Sequence, residues 1–259
     1  MTGASGGQRP LIVKLGGTTI AKERGLLGEV VELARSRPLV IVHGGGARLT
    51  TWLDRLGLGH RTVAGRRVTD DAALEVAVGV LRGLVNAELV AALRGRGADA
   101  VGLSGLDGGL LVGERVPGLG RVATVTGVRG AVLEALFLGG FLPVVAPLAA
   151  DADGLICNVN ADDAAAGLAA GLGADLVLLT DTDGVRGADG QRMARLSALE
   201  AEELIVSGVI GGGMEPKVRA ATRALVTPSS MALIVDGRAD GALGRALDGS
   251  SGTRMYLGR

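Results

Sequence analysis

The stretch PLIVKLGG, residues 10–17, is the segment from which the fold class follows. Its apolar run shows no polar alternation, which is typical of a strand buried on both faces, and two glycines end it. Similar runs occur in PLVIVHGGG (38–46), DAVGLSG (99–105), FLPVVAP (141–147), ADLVLLTD (174–181) and MALIVDG (231–237). Because helical stretches separate these runs, we predict an α/β fold, a three-layer sandwich with a central, mainly parallel sheet covered on both faces.

The composition restricts the functional classes. The 259 residues are 47% hydrophobic, which is enough for a sizeable core in one large domain or two lobes, although only 2% are aromatic. The 27 basic and 27 acidic residues balance and there is no basic tail, so we expect no nucleic-acid partner. Cys157 is the single cysteine, which excludes an internal disulfide and favours a buried structural thiol.

One apolar segment, AVLEALFLGGFLPVVAPLAA (131–150), is long enough to suggest a membrane span. Glu134, two glycines and two prolines interrupt it, so we predict a short helix, a glycine turn and a buried strand instead. Residues 1–9 are polar and glycine-rich and lack the apolar region of a signal peptide. We expect a cytoplasmic protein that does not enter a membrane.

Other segments predict further local structure. ARLTTWLDRLGL (47–58) is typical of a helix, and a longer helix is expected after 68, with Thr69 in its capping signature. Residues 109–126 alternate with glycines and predict a β-hairpin. GTRMYL (252–257) predicts a last short strand.

Four glycine clusters lie at predicted strand ends or just before helices, at 16–17, 44–46, 102–108 and 211–213. Glycine lets backbone N–H groups approach an oxyanion, and a following helix adds its positive end. A single pair is weak evidence, since any tight turn can need glycine, but four clusters at such positions indicate ligand loops. None has the spacing of a P-loop or of a dinucleotide-binding fingerprint, which disfavours those two classes.

Two lysines occupy unusual positions. Lys14 lies inside the first predicted buried strand, where an ammonium is costly unless it emerges into a polar site with a partner. Lys217 lies in the first turn of a helix opened by Pro216, where the helix end is already positive. Brought together, the two would form a strong anion site of the kind that phosphoryl transfer needs. The alternative is that Lys14 reaches solvent at a strand end and Lys217 is solvated.

The stretch NVNADDAAAG (158–167) crowds four short polar side chains at the start of a predicted buried helix. We predict that Asn160 caps the helix, with Asp163, three residues on, as the matching acid. Asn158 and Asp162 are left without such a role. The alanines that follow are expected to let the helix pack tightly.

The motifs resemble those of the N-acetylglutamate kinases, a branch of the amino acid kinase superfamily. The resemblance covers residues 10–257 and rests on IVKLGG, VHGGG, GRRVTDDAALEV, GLSGLDG, NVNADDAA, LLTDTDGV, GGGMEPKV and GTRMYL, in that order. It implies two lobes, 10–170 for acceptor binding and dimerisation and 171–259 for nucleotide binding. It also implies phosphorylation of a side-chain carboxylate by ATP, with Mg²⁺ carried on the nucleotide and no metal site on the protein, in arginine biosynthesis.

The resemblance further implies roles for individual residues. Lys14 and Lys217 would stabilise the transferring phosphoryl group from two sides, and Asp162 would hold both lysines in position. Arg67 would pair with the α-carboxylate of the substrate. Asn158, Asn160, Gly45 and Gly46 would complete the acceptor site, and the nucleotide-binding set would be Gly16, Gly17, Thr180, Asp181, Gly212, Gly213 and Met214.

The identity of the acceptor stays open at this point. The intact HGGG and the compact AGRRVTD favour free N-acetylglutamate. N-acetylaminoadipate, or a glutamate or aminoadipate linked to an acidic amino-group carrier protein in lysine or arginine biosynthesis, is the alternative. A non-catalytic sensory relative is another. Hexameric, feedback-inhibited members carry an extra helix before the first strand, whereas only the polar residues 1–9 precede that strand in this sequence. We therefore expect a homodimer without strong inhibition by arginine.

Overall fold

The centre of the protein is an eight-stranded sheet. We describe it from a computed structural model; the residues described are 8–16, 24–63, 65–227 and 230–258. Neighbouring strands are parallel throughout, except that the strand Ala232–Asp236 pairs antiparallel with the strand Thr253–Tyr256. The spatial order is β12 (Arg195–Ser197), β14 (Thr253–Tyr256), β13 (Ala232–Asp236), β11 (Asp175–Thr180), β1 (Leu11–Leu15), β2 (Leu39–His43), β8 (Leu142–Ala146) and β5 (Ala100–Ser104). The predicted mainly parallel sheet is therefore confirmed.

Helices cover both faces of this sheet. Side chains of a strand alternate between faces, and accordingly Leu11 and Val13 belong to one buried cluster while Ile12 belongs to another. Both clusters contain helix residues, so the architecture has the three predicted layers. The helices are α1 (Arg24–Ala34), α2 (Gly46–Arg55), α3 (Asp71–Ala77), α4 (Asn86–Arg94), α5 (Ala131–Leu138), α6 (Ala161–Leu172), α7 (Ala198–Val206), α8 (Glu215–Ala224) and α9 (Ala242–Leu247).

Two smaller β structures flank the carboxyl edge of the sheet. The strands β6 (Leu111–Arg115), β7 (Val122–Val128), β9 (Leu148–Ala150) and β10 (Ile156–Val159) form a small closed barrel. In it, β6 and β7 pair antiparallel, which confirms the hairpin predicted at 109–126. A separate short hairpin joins β3 (Thr62–Val63) to β4 (Arg66–Arg67).

A continuous helix runs from Asp71 to Arg94, with a π-helical stretch, Val78–Val85, between α3 and α4. The prediction that Thr69 caps it is wrong. Asp70 is the capping residue and accepts a 2.8 Å hydrogen bond from the N–H of Ala73, whereas the Thr69 hydroxyl turns back to the carbonyl of Arg67. By length and composition alone this helix could cross a membrane, the one such helix in the described ranges, but α4 packs on β5 and β8 as core helices do.

Each half of the chain contributes four adjacent strands to the sheet, and β1 and β11 meet at its middle. The apolar segment 131–150 forms α5 and β8, as predicted, and also β9, which was not predicted. The proposed division at 170/171 falls in the last turn of α6. Close packing accounts for two glycines of the 102–108 cluster, because a Cβ would lie 2.1 Å from Asn86 Oδ1 at Gly102 and 2.0 Å from the Leu148 carbonyl at Gly105.

Candidate active site

A carboxylate between two ammonium groups forms the centre of the candidate site. The Lys217 ammonium donates a 3.0 Å hydrogen bond to Asp162 Oδ2. Lys14 Nζ lies 2.8 Å from Oδ1 as an ion pair. Lys14 and Asp162 are each only 7% exposed, so water screens this contact weakly. The structure thus brings together three residues that are far apart in the sequence, and it rejects the alternative in which both lysines are solvated.

The positions of the three side chains follow from the elements that carry them. Lys14 shares with Ile12 the face of β1 on which α6 packs. Asp162 lies in the first turn of α6, and Lys217 lies in the first turn of α8, which packs against α6. An acid is favoured near a helix N-terminus and a lysine is not. The unfavourable position of Lys217 is compensated by Asp162.

The ionisation of Asp162 reflects the two lysines. Burial alone would raise the pKa of this carboxyl, but the charges of Lys14 and then Lys217 outweigh burial and hold the pKa below its usual value. Because the pKa is lower in the folded than in the unfolded protein, the ionised carboxylate stabilises the fold at neutral pH. That stabilisation is lost as the pH falls below the ordinary carboxyl range, about 3.9.

Asn160 caps α6, as predicted. The Asn160 side chain accepts hydrogen bonds from the N–H groups of Asp162, at 2.8 Å, and Asp163, at 3.3 Å, and so caps the helix. The alanine-rich helix packs closely against the small barrel, since a Cβ at Gly167 would lie 2.6 Å from Val125. The small side chains therefore let α6 bring Asp162 close to the sheet.

The prediction that Asp163 is the acid of a capping box is wrong. Its carboxylate forms an ion pair with Arg223 of α8 and lies 3.6 Å from Arg66 of β4. Arg223 also donates to the carbonyl of Val125 in β7. Asp163 therefore ties α6 to α8 and to the β3–β4 hairpin. Burial raises the pKa of Asp163 against the opposing effect of Arg223 and Arg66.

For Asp163→Ala we expect a loss of about 1–2 kcal/mol in the free energy of unfolding, because two partly exposed arginines lose their carboxylate. The value of kcat should change less than about threefold. Denaturant unfolding with steady-state kinetics measures both. Asp163→Asn, which preserves the shape, separates the charge from the packing. A folded variant that loses activity a hundredfold would instead place Asp163 in the reaction.

A cavity of about 270 Å³ lies beside this centre. Lys14 and Asp162 form one wall and Leu49 and Leu81 contribute apolar surface. The predicted acceptor residues Gly45, Gly46, Arg67, Asn158 and Asn160 also line it. The cavity therefore combines positive charge with an apolar part, as an anionic ligand with a small apolar group would require.

Arg67 is half-buried at the mouth of this cavity. Its Nη2 donates to the Thr50 hydroxyl at 2.6 Å and to the Gly46 carbonyl at 3.2 Å. Its buried Nη1 meets no acceptor among the described residues. Burial lowers the pKa of Arg67, with Asp54 opposing. A desolvated guanidinium with a spare N–H donor is suited to binding a carboxylate.

Asn158 is held by a residue from another element. It is buried, and its Nδ2 donates a 3.1 Å hydrogen bond to Thr69 Oγ1. Thr69 in turn donates to the backbone of Arg67. These two hydrogen bonds link β10 to the β3–β4 hairpin that carries Arg67.

The residues predicted to bind the nucleotide are spread more widely. Thr180 ends β11, next to β1, and donates to Asp181 at 3.2 Å. Gly212 and Gly213 line a second cavity of about 1000 Å³ beside α8, and Met214 is the N-cap residue of that helix. Gly16 follows β1, and Gly17 lies outside the described residues. Of the described residues in this set, Gly212 and Gly213 are the ones that line this second cavity.

Comparison with known proteins gives a consistent result. The model of the amino acid kinase family matches residues 9–235. Acetylglutamate kinase of Rubrobacter xylanophilus is 47% identical over 244 residues, 93% of this chain and 94% of that protein. The solved N-acetylglutamate synthase from Neisseria gonorrhoeae, complexed with coenzyme A and N-acetyl-glutamate, is 25% identical with a TM-score of 0.83, over 97% of this chain and 60% of that one. Carbamate kinase from Giardia lamblia bound to AMP-PNP, 18% identical with a TM-score of 0.71 over 98% and 99% of the two chains, shares the fold.

Proposed function

The chain belongs to the amino acid kinase family, and we propose that it transfers the γ-phosphoryl group of ATP to the side-chain carboxylate of N-acetyl-L-glutamate. The observation that carries the proposal is the Lys14–Asp162–Lys217 arrangement, which borders a cavity of acceptor size that Arg67 also lines. The similarity to acetylglutamate kinases over nearly the whole chain supports the same acceptor. The reaction would belong to arginine biosynthesis in the cytoplasm.

The chemistry requires charge stabilisation more than proton transfer. The attacking carboxylate is already ionised at neutral pH, so no general base is needed. An oxygen–phosphorus bond forms to the γ-phosphorus while the bond to the bridging oxygen breaks, and ADP leaves with the electron pair. Negative charge on the transferring group then needs fixed cations. Lys14, from β1, and Lys217, from α8, would supply them, and Asp162 would fix their positions.

Mg²⁺ is proposed to enter on the phosphates of ATP. Both oxygens of Asp162 are occupied by lysines. Within the described ranges, no group of three or more His, Cys, Asp and Glu side chains is arranged to hold a metal ion. A cation carried by the nucleotide would neutralise phosphate charge without a cluster of protein ligands.

The acceptor would be held at both of its carboxylates. Arg67 is proposed to bind the α-carboxylate through its free N–H donor. Asn158, near the end of β10, and Asn160, the capping residue of α6, would also contact the acceptor. The side-chain carboxylate would then lie near Gly45 and Gly46. The nucleotide is proposed to bind the second half of the chain, 171–259, through Thr180, Asp181 and the loop that precedes α8.

Release of ADP from ATP·Mg²⁺, measured with single acceptors, tests the proposed function. We expect turnover with N-acetylglutamate, and hydroxylamine should trap the acyl phosphate as a hydroxamate. N-acetylaminoadipate, carbamate and aspartate are the comparison acceptors. Preference for N-acetylaminoadipate would move the enzyme to lysine biosynthesis. No ADP release with any of the four acceptors would favour a carrier-linked acceptor or a sensory protein.

Arg67→Lys should raise the KM for N-acetylglutamate about tenfold or more, because a lysine cannot give the paired donors of a guanidinium. The KM for ATP should change little. Arg61→Lys, at an exposed position in the segment before the hairpin, is the matched control. An unchanged acceptor KM in the Arg67 variant would reject the assigned role.

We also propose a homodimer that pairs through the first half of the chain. The helix Asp71–Arg94 is apolar, yet only 39% of its most apolar window is buried within one chain. Its exposed positions include small residues that allow close approach: Gly79, Gly83, Ala87 and Ala91. Light scattering after size-exclusion chromatography should give two chains. A hexamer that arginine inactivates would contradict this proposal.

A further inference from the structure

His43 is a buried imidazole next to the loop that lines the acceptor cavity. It is 0% exposed and ends β2, immediately before Gly44. Its Nδ1 lies 2.8 Å from the Gly44 carbonyl oxygen, and its Nε2 lies 3.0 Å from Nδ2 of Asn86, the first residue of α4. Neither residue has a part in the chemistry described above.

The contacts of Asn86 determine which ring nitrogen carries the proton. Asn86 Nδ2 also lies 2.9 Å from the carbonyl oxygen of Val144 and 3.4 Å from that of Leu103. Carbonyl oxygens only accept, so this amide atom must be the nitrogen. It then donates to His43 Nε2, which therefore carries no proton. The neutral ring must be protonated at Nδ1, which donates to the Gly44 carbonyl.

The surroundings keep the ring neutral and the amide fixed. Burial lowers the pKa of His43, the hydrogen bond to Gly44 opposes this, and the charge of Arg82 lowers it further. Arg82 also donates to Asn86 Oδ1 at 3.4 Å and to the Gly102 carbonyl at 3.1 Å. The absence of a side chain at Gly102 makes room for the Asn86 amide, since a Cβ there would lie 2.1 Å from Oδ1. The GLSG motif thus has a structural role behind the site.

The geometry of the peptide bond carries this constraint into the cavity. In a trans peptide, the C=O of one residue and the N–H of the next point in opposite directions. With the Gly44 carbonyl directed at His43, the N–H of Gly45 points away from His43. That N–H donates to no backbone carbonyl in the described part of the chain. The π-helical stretch supports the loop, because a Cβ at Gly45 would lie 2.5 Å from Leu81.

We propose that Asn86 is a positioning residue, which holds His43 in the Nδ1-protonated tautomer and thereby directs the Gly45 N–H at the reacting oxygens. Its effect on catalysis rests on the proposed kinase function, but the tautomer does not. The N–H would stabilise charge that develops during transfer, in the manner of an oxyanion hole. Displacement of the loop should therefore lower kcat and leave the KM values for ATP and N-acetylglutamate within about threefold.

The tautomer can be measured directly. The chain has two histidines, so a uniformly ¹⁵N-labelled His60→Gln protein reports on His43 alone. Long-range ¹H–¹⁵N spectra should give the pattern of a neutral ring protonated at Nδ1. A ring protonated at Nε2 at neutral pH overturns the proposal, whether or not the protein is a kinase. The exposed His60 lies outside the cavity and its substitution should leave kcat unchanged.

Variants test the effect on catalysis. Asn86→Asp cannot donate to Nε2, so the spectrum should gain an Nε2 proton and kcat should fall at least about tenfold. His43→Asn places an amide nitrogen near the Nδ1 position, whereas the longer side chain of His43→Gln reaches the Nε2 position, where its amide oxygen can accept from Asn86, and leaves no donor near Nδ1. We expect kcat of His43→Asn to exceed that of His43→Gln at least about tenfold. Equal values in folded variants, or full activity of Asn86→Asp, would overturn the proposal.

Discussion

Lys217→Ala should lower kcat at least about a hundredfold while the fold stays intact. Loss of one preorganised group that stabilises developing charge typically costs about 3–4 kcal/mol of activation free energy. The fold should survive because Asp162 keeps its ion pair with Lys14. In addition, alanine removes a cation from the first turn of α8, where the helix end is positive.

Steady-state kinetics and a thermal melt on the same preparation test this prediction. Arg219→Ala is the matched control, because Arg219 is an exposed cation of the same helix that pairs with Glu215 and Glu202. It should retain kcat, since its charges lie outside the lysine–carboxylate centre. A value of kcat near that of the unaltered enzyme in folded Lys217→Ala would remove this lysine from the reaction.

Asp162→Ala should be nearly as damaging to kcat, for a different reason. Asp162 is not expected to touch the transferring group. Its removal frees two ammonium groups that repel each other, one of which is buried and then lacks its carboxylate. Both cations would leave the positions that favour transfer, so the loss should again approach a hundredfold.

The pH dependence of stability gives this prediction a second readout. In the unaltered protein, ionised Asp162 contributes stability that disappears as the pH falls below about 3.9. Asp162→Ala should show a weaker loss of unfolding free energy over that acid range. Folded Asp162→Ala with normal kcat would contradict its assigned role, and an unchanged acid dependence would contradict the stabilising ion pairs.

Two kinds of feature could be read from the sequence. The strands could, because apolar runs such as LIV (11–13) and LVIV (39–42) leave no polar side chain for a solvent-facing surface and so require helices on both faces. The lysine–carboxylate centre could be predicted in part: the unusual positions of Lys14 and Lys217 indicated an anion site, and the resemblance to N-acetylglutamate kinases implied the carboxylate that holds them. Asp162 was one of the two residues, with Asn158, that the helix cap left unexplained.

The features that escaped prediction depend on partners distant in the sequence. Asp163 has the spacing of a capping acid, but Arg223 reaches it from α8 and outweighs the local role. Thr69 also has the spacing of a cap, but Asp70 takes that role, and the Thr69 hydroxyl donates to Arg67 and accepts from the distant Asn158 of β10. Local spacing cannot reveal such contacts, because they exist only once the sheet has brought the elements together. The contact between His43 and Asn86 had no local signal at all.

The middle of the sheet, where β1 meets β11, also has a consequence for biogenesis. Leu11, near the start of the chain, pairs with Asp175, and the Lys14–Asp162 contact joins similarly remote segments. Closing such long loops costs conformational entropy before the contacts stabilise the chain, which slows folding. On the ribosome, the strands of the first half can pair early, but the Lys14–Asp162–Lys217 centre cannot assemble until α8 has emerged. A chain truncated before α8 is therefore expected to lack the proposed activity.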